Sequence, residues 1–65
     1  MTTIEEIIRV EKRFKKGKPY FVTYAVVDGN EVMGWSLSKD EYHVGDSVMS
    51  YFDDQWHRPT MRKPT

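Results

Sequence analysis

The chain has 65 residues, a mass of 7.7 kDa, no cysteine and a formal net charge of zero. A chain this short forms one domain, predicted over residues 1–65, and buries only about 60% of the surface that its unfolded form exposes. Disulfide bridges are excluded, and two histidines without cysteine cannot build a zinc finger. With tyrosine counted as polar, the longest uninterrupted apolar run is Ala25–Val27, so we expect no membrane segment and a cytoplasmic protein.

The zero net charge conceals a segregation of charge along the chain. Residues 9–18 carry six of the ten Lys and Arg and only one acidic residue, whereas residues 28–54 carry a net charge of −6. Residues 58–65 are again basic, with a net charge of +3. Surfaces of opposite sign can orient a protein against an anionic partner without net attraction, although charged residues also serve solubility.

Two periodicities fit the amino-terminal segment. As a helix over residues 3–16, it has the capping pair Thr3 and Glu6 and basic residues in its last turn. As a strand over residues 7–14, it alternates apolar with charged side chains. We favour the strand because a hairpin and one further strand would make a thin sheet for this length, whereas a long first strand lets the sheet close.

Residues 20–37 are predicted to form a β-hairpin. Aromatic and β-branched residues lead into Asp28-Gly29, a typical type I′ turn, and a second apolar segment returns. A two-residue turn predicts cross-strand pairs whose numbers add to 57, and a three-residue turn is the alternative register. The face predicted as the core carries Tyr20, Val22, Tyr24, Met33, Trp35 and Leu37.

A further strand is predicted after the connector 38–45. Gly45-Asp46 turns the chain into this strand, whose apolar residues of like parity are Val44, Val48 and Phe52. Asp53-Asp54 is predicted to end it.

The carboxyl-terminal residues carry weaker signals. Pro59 cannot donate to an interior ladder, so residues 55–63 are predicted to hold at most a short edge strand, and residues 59–65 a flexible tail. The whole pattern predicts a mostly β fold, a small antiparallel barrel of four to five strands. The alternative is an α+β fold with a helix over residues 3–16 on a three-stranded meander.

The layout resembles small OB-fold and SH3-like barrels. The step Gly45-Asp46-Ser47-Val48 after a short connector is similar to that of S1-type and initiation-factor-one-type OB modules. The same step followed by residues 53–58, Asp-Asp-Gln-Trp-His-Arg, also resembles the Tudor and KOW type of SH3-like barrel. The chain departs from OB-folds in its shortness and in lacking the usual barrel-capping helix. The resemblance implies a binding module whose ligand is often nucleic acid.

The residues themselves favour nucleic acid as the ligand, single-stranded more than duplex. Cations contact phosphates, and exposed rings stack on bases. The basic cluster falls at a predicted hairpin tip, Phe21 lies opposite the predicted core face, and Trp56 lies in a polar segment. The candidate residues are Arg13, Lys15, Lys16, Lys18, Phe21, Trp56 and Arg58. The structural alternative is that the connector covers Phe21 and that Trp56 plugs the barrel end.

A protein–protein adaptor or inhibitor is the alternative function. It would use an acidic face and an open strand edge, and the same edge would allow a homodimer. Its candidate residues are Asp40, Glu41, Asp46, Asp53 and Asp54.

Enzymatic, metal and cofactor roles are not expected. His43 and His57 match no framework of metal ligands, and the sequence has no phosphate-cradling glycine loop and no nucleophile elbow.

Overall fold

The computed structural model describes residues 2–64, which form five strands and no helix. The strands are β1 (Thr2–Lys15), β2 (Lys18–Val27), β3 (Asn30–Ser36), β4 (Ser47–Asp53) and β5 (Arg58–Arg62). They close into a barrel in the order β1-β2-β3-β5-β4, in which only β3 and β5 run parallel. The predicted small β-barrel is confirmed and the helix over residues 3–16 is wrong. Residues 1 and 65, which the predicted domain and tail include, lie outside the described residues.

Within residues 2–64 there is no helical segment with the length and hydropathy that a membrane crossing needs.

Strand β1 is longer than predicted because two β-bulges let it bend. It pairs with β2 along its length, with register shifts between Ile4 and Glu6 and between Ile7 and Arg9. The shifts bring Ile4 and Ile7 to the same interior cluster although they are three residues apart. A spacing of three is typical of a helix, so the bulges explain why two periodicities fitted this segment. At its start β1 pairs with β4 and closes the barrel.

The β2–β3 hairpin has the predicted two-residue register. The pairs run from Phe21↔Ser36 to Val27↔Asn30, and each adds to 57. Asp28 and Gly29 have φ values of 52° and 76°, the positive pair that a type I′ turn requires.

The predicted core face of this hairpin is only partly buried, and the main core lies on its other face. The barrel interior is filled from all five strands and the connector, by Ile4, Ala25, Val27, Val32, Tyr42, Val48 and Met61. On the opposite face of β2 and β3, Val22, Tyr24 and Met33 form a second cluster, against which Tyr20 and Trp56 pack. Trp35 and Leu37 are exposed, at 54% and 78%.

The narrow space beside Gly34 explains why the Trp35 ring lies on the outer face. A Cβ on Gly34 would meet Met61 Cγ and Tyr42 Cζ at 3.0 Å. Only small side chains fit here, and Thr23, Ala25 and Ser36 occupy neighbouring interior positions.

Strand β5 corrects the predictions for the carboxyl-terminal segment. It pairs with both β4 and β3, so it is not an edge strand, and Thr60 and Met61 are buried. The predicted flexible tail is therefore wrong for residues 59–62. Pro59 pairs with Phe52 on β4. The pairing with β3 is at the next residue, Thr60, so the missing N–H of Pro59 removes no bond from the parallel pair.

Of the three apolar residues of like parity in the segment predicted as this strand, only one is buried. Val48 is fully buried, whereas Val44 and Phe52 are 63% and 57% exposed. Val44 lies in the connector rather than the strand, and Phe52 lies near the far end of β4, beyond its pairing with β1.

Candidate nucleic-acid interface

The tip of the β1–β2 hairpin holds three lysines on a tight turn. Lys15 pairs with Lys18, and Lys16 and Gly17 between them have φ values of 52° and 78°. This is a second type I′ turn. In the part of the chain that the structure describes, none of these lysine side chains forms a hydrogen bond or an ion pair. Their charges are therefore available to a ligand.

The lysine tip borders a groove of about 490 Å³. Its walls come from the tip, from the adjoining parts of β2 and β3 and from the β4–β5 loop. The lining residues are Lys15, Lys16, Lys18, Pro19, Tyr20, Trp35, Leu37, Gln55 and Trp56. Both tryptophans of the chain line it. The groove thus combines cationic and aromatic walls.

The β4–β5 loop holds Trp56 in place by hydrogen bonds and packing. The Asp53 carboxylate accepts from the backbone N–H of Gln55 at 2.9 Å and of Trp56 at 3.0 Å. The indole packs against the outer cluster of Val22, Tyr24 and Met33 and is half-buried. Trp56 therefore does not plug the barrel interior; it covers the outer face of β2 and β3 and forms one wall of the groove.

Trp35, Leu37 and Tyr20 belong to the groove, although the sequence predicted them for the core. They lie on the outer face of the hairpin, beyond the region that Trp56 covers. The small residues Ala25, Gly34 and Ser36 on the opposite face were the available signal. Because small side chains suit the inside of a narrow barrel, they indicate which face of the hairpin is interior.

Arg13 lies on the outer face but does not line the groove. Its Nη2 donates to Glu11 Oε1 and to Tyr24 Oη, both at 2.9 Å, and Glu11 Oε2 accepts from Arg9 Nε at 2.8 Å. The Arg9 guanidinium stacks 4.0 Å from the centre of the Tyr24 ring. The hydrogen bond from Arg9 is the main cause of a lowered pKa of Glu11, and the hydrogen bond from Arg13 is the second. The Arg13 side chain is therefore bonded to Glu11 and Tyr24 within the protein.

Phe21 and Arg58 also lie apart from the groove. Phe21 is half-buried and pairs with Lys12 and Ser36, on the face opposite Tyr20. Arg58 is exposed and lines a separate cavity of about 250 Å³ beside Tyr24. Of the seven residues predicted to contact nucleic acid, the structure brings four together, Lys15, Lys16, Lys18 and Trp56.

The acidic candidates are divided between two places. Glu41 and Asp46 lie 3.8 Å and 3.5 Å from Lys63 Nζ, beside the interior Tyr42. The backbone N–H of His43 donates to Asp46 and is the main cause of its lowered pKa, with Lys63 contributing.

The other acidic candidates are Asp40, which is exposed in the connector, and Asp53 and Asp54 in or beside the β4–β5 loop. Among residues 2–64, no group of three His, Cys, Asp or Glu side chains is placed to hold a metal ion.

Comparisons with protein-family models, with curated proteins and with solved structures find no match for this chain. A function for this chain is therefore argued from its own residues and geometry.

Proposed function

We propose that this chain is a small, non-enzymatic, OB-type module that binds single-stranded nucleic acid in the groove. One observation carries the proposal: Lys15, Lys16 and Lys18, whose charges are not neutralised within the described residues, border the same groove as Trp35 and Trp56. A cytoplasmic location is part of the proposal.

The chemistry of the walls fits unpaired bases. Each base that stacks on an aromatic side chain contributes about 1–3 kcal/mol, and lysine ammonium groups contact the phosphates between bases. Stacking on Trp35, Tyr20 or Trp56 needs a base whose face is free, and a duplex hides these faces. The uncharged hydrogen-bonding groups of the groove are the Gln55 amide, the Tyr20 hydroxyl and the two indole N–H groups. Because stacking tolerates every base, we expect only modest sequence preference.

The arrangement of the strands supports the OB-type assignment. OB-folds bind oligonucleotides on the face of their second and third strands and through the loops that join strands one to two and four to five. The groove is lined from β2, β3 and the two corresponding loops.

The backbone at Lys16 gives independent support. Its φ of 52° lies in the left-handed region, which costs an ordinary residue about 1–2 kcal/mol and which glycine and asparagine adopt readily. A lysine at such a position supports a role for its ammonium group, since strain of this kind is often found at functional sites.

The test is binding of a fluorescein-labelled oligothymidylate, measured by anisotropy at salt concentrations between about 50 and 200 mM. We expect affinity to fall steeply with salt and the Lys15/Lys16/Lys18→Glu variant to lose binding while its circular dichroism stays unchanged. Lys39→Glu, at an exposed connector position outside the groove, is the control for charge alone. Normal affinity in the folded triple variant would contradict the proposal.

Removing the aromatic wall tests the second half of the site. Trp35→Ala is expected to weaken binding about tenfold with little loss of stability, because Trp35 is more than half exposed. An unchanged affinity would show that the ring does not stack on a base.

A protein–protein adaptor or inhibitor is the second candidate. The supporting observation is an exposed phenylalanine, Phe52, directly before the acidic pair Asp53-Asp54, an arrangement that suits a basic partner. Capture of one stoichiometric protein from nuclease-treated host extract, lost in Phe52→Ala, would favour this candidate over the first.

A further inference from the structure

The β1–β2 hairpin exposes an aromatic and basic surface on the side opposite the groove. We call this the Phe14 face; it consists of Val10, Lys12 and Phe14 on β1 and Phe21 on β2. Phe14 is 64% exposed and Val10 is 40% exposed. Lys12 Nζ lies 5.5 Å from the centre of the Phe14 ring. The face thus repeats, on a smaller scale, the pairing of a ring with a cation that the groove contains.

This face is continuous with the groove across the hairpin tip. Phe14 pairs with Pro19, and Pro19 itself lines the groove. The next pair, Lys15 with Lys18, also lines the groove, so the lysine tip lies between the two surfaces. A chain of phosphates that leaves the groove over the tip would reach Phe14 without losing contact with cationic side chains.

We propose that one single strand of nucleic acid occupies the groove, crosses the lysine tip and stacks a further base on Phe14. The inference rests on the proposed function and extends it, because it assigns the strand's path and a longer site.

Charge favours this occupant over a second copy of the chain. In a symmetric dimer the same patch would face itself, and Lys12 would be brought close to the tip lysines of both copies. Such like charges oppose the contact, whereas a phosphate backbone neutralises them.

The experiment compares two oligothymidylates, one of about four nucleotides and one of about twelve, both within the range of known single-strand sites. The shorter is intended to fill the groove alone and the longer to reach the Phe14 face. We expect Phe14→Ala to weaken binding of the longer oligonucleotide about tenfold and to leave the shorter unchanged. Phe14→Tyr, which keeps a ring, is expected to bind both as the unmodified protein does.

Phe52→Ala is the matched control, because Phe52 is a similarly exposed phenylalanine that lies outside both surfaces. It is expected to change neither affinity. The inference is overturned if Phe14→Ala weakens both oligonucleotides equally or affects neither, while the groove still binds the shorter one. It is also overturned if sedimentation shows a dimer that Phe14→Ala dissociates. If the unmodified protein binds neither oligonucleotide, the proposed function and this inference both fail.

Discussion

Strand β2 begins and ends at turns of the same geometry but opposite character. Lys16-Gly17 and Asp28-Gly29 both have the positive φ pair of a type I′ turn, with φ values within 2° of each other at matching positions. Polar contacts tie Asp28-Gly29 to β1: Thr2 Oγ1 donates to Asp28 Oδ1 at 2.8 Å, and Gly29 N–H donates to Glu5 Oε1 at 2.9 Å. The lysine tip forms no such side-chain bond among the described residues.

The difference shows which parts of a tight turn are free to vary. The glycine and the positive φ values set the turn, and the remaining side chains can either anchor it or serve a ligand. The anchored turn lies beside Val27, which packs in the barrel interior with Ile4, whereas the lysine tip borders the open groove. We therefore expect substitutions near the anchored end to change stability and those at the tip to change binding.

The largest expected effect is that of Gly34→Ala in the interior. The added Cβ would lie 3.0 Å from Met61 Cγ and from Tyr42 Cζ and 3.1 Å from the Met61 carbonyl oxygen. Overpacking of this kind costs about 1–3 kcal/mol of unfolding free energy. Urea denaturation measures the loss. An unchanged midpoint would show that the interior accommodates the added methyl group without strain.

The two turns can be compared directly with one substitution at matched positions. Asp28→Ala and Lys16→Ala both place alanine at a φ of 52°. Asp28→Ala also removes the acceptor of Thr2, so it is expected to cost about 1 kcal/mol more than Lys16→Ala. Equal losses in urea denaturation would mean that the hydrogen bond from Thr2 to Asp28 contributes nothing.

Lys16→Asn is expected to separate stability from binding. Asparagine adopts the left-handed region more readily than lysine, so the unfolding free energy should rise by about 0.5–1 kcal/mol. Loss of one phosphate contact should lower the slope of log affinity against log salt by about 0.7 for a single strand. A gain in stability with an unchanged salt slope would show that Lys16 does not contact a phosphate.

The smallest expected effect is a pH dependence that arises far from the tip. Asp46 has a pKa below its ordinary value of 3.8, mainly because the His43 N–H donates to its carboxylate. A lowered pKa stabilises the fold above about pH 4, and this contribution is lost as the pH falls through the folded-state pKa. Asp46→Asn should flatten the stability profile below about pH 4 in urea titrations, whereas Lys39→Glu should not.

The hairpin could be predicted closely from the sequence, because Asp-Gly between two β-branched segments has few alternatives. Its register and turn type are confirmed. The closure of the barrel could not be predicted in the same way. It depends on two bulges in β1 and on a parallel pair between β3 and β5, and neither has a local signature.

The site was predicted on its cationic side better than on its aromatic side. The tip lysines follow from a basic cluster around a glycine turn, whereas Trp35 was predicted for the core because large rings are usually buried. What the sequence does not display is the width of the interior. Tyr42 comes from the connector to fill it, so no room remains for an indole beside Gly34.

The two tryptophans line one groove, Trp35 from β3 and Trp56 from the β4–β5 loop, and are the only indoles in the chain. Emission excited selectively from indole therefore originates entirely at this site, so the unlabelled protein carries its own optical reporter. Replacing either tryptophan with phenylalanine would assign the signal to the β3 wall or to the β4–β5 loop, and would follow the two walls separately as they take up a ligand.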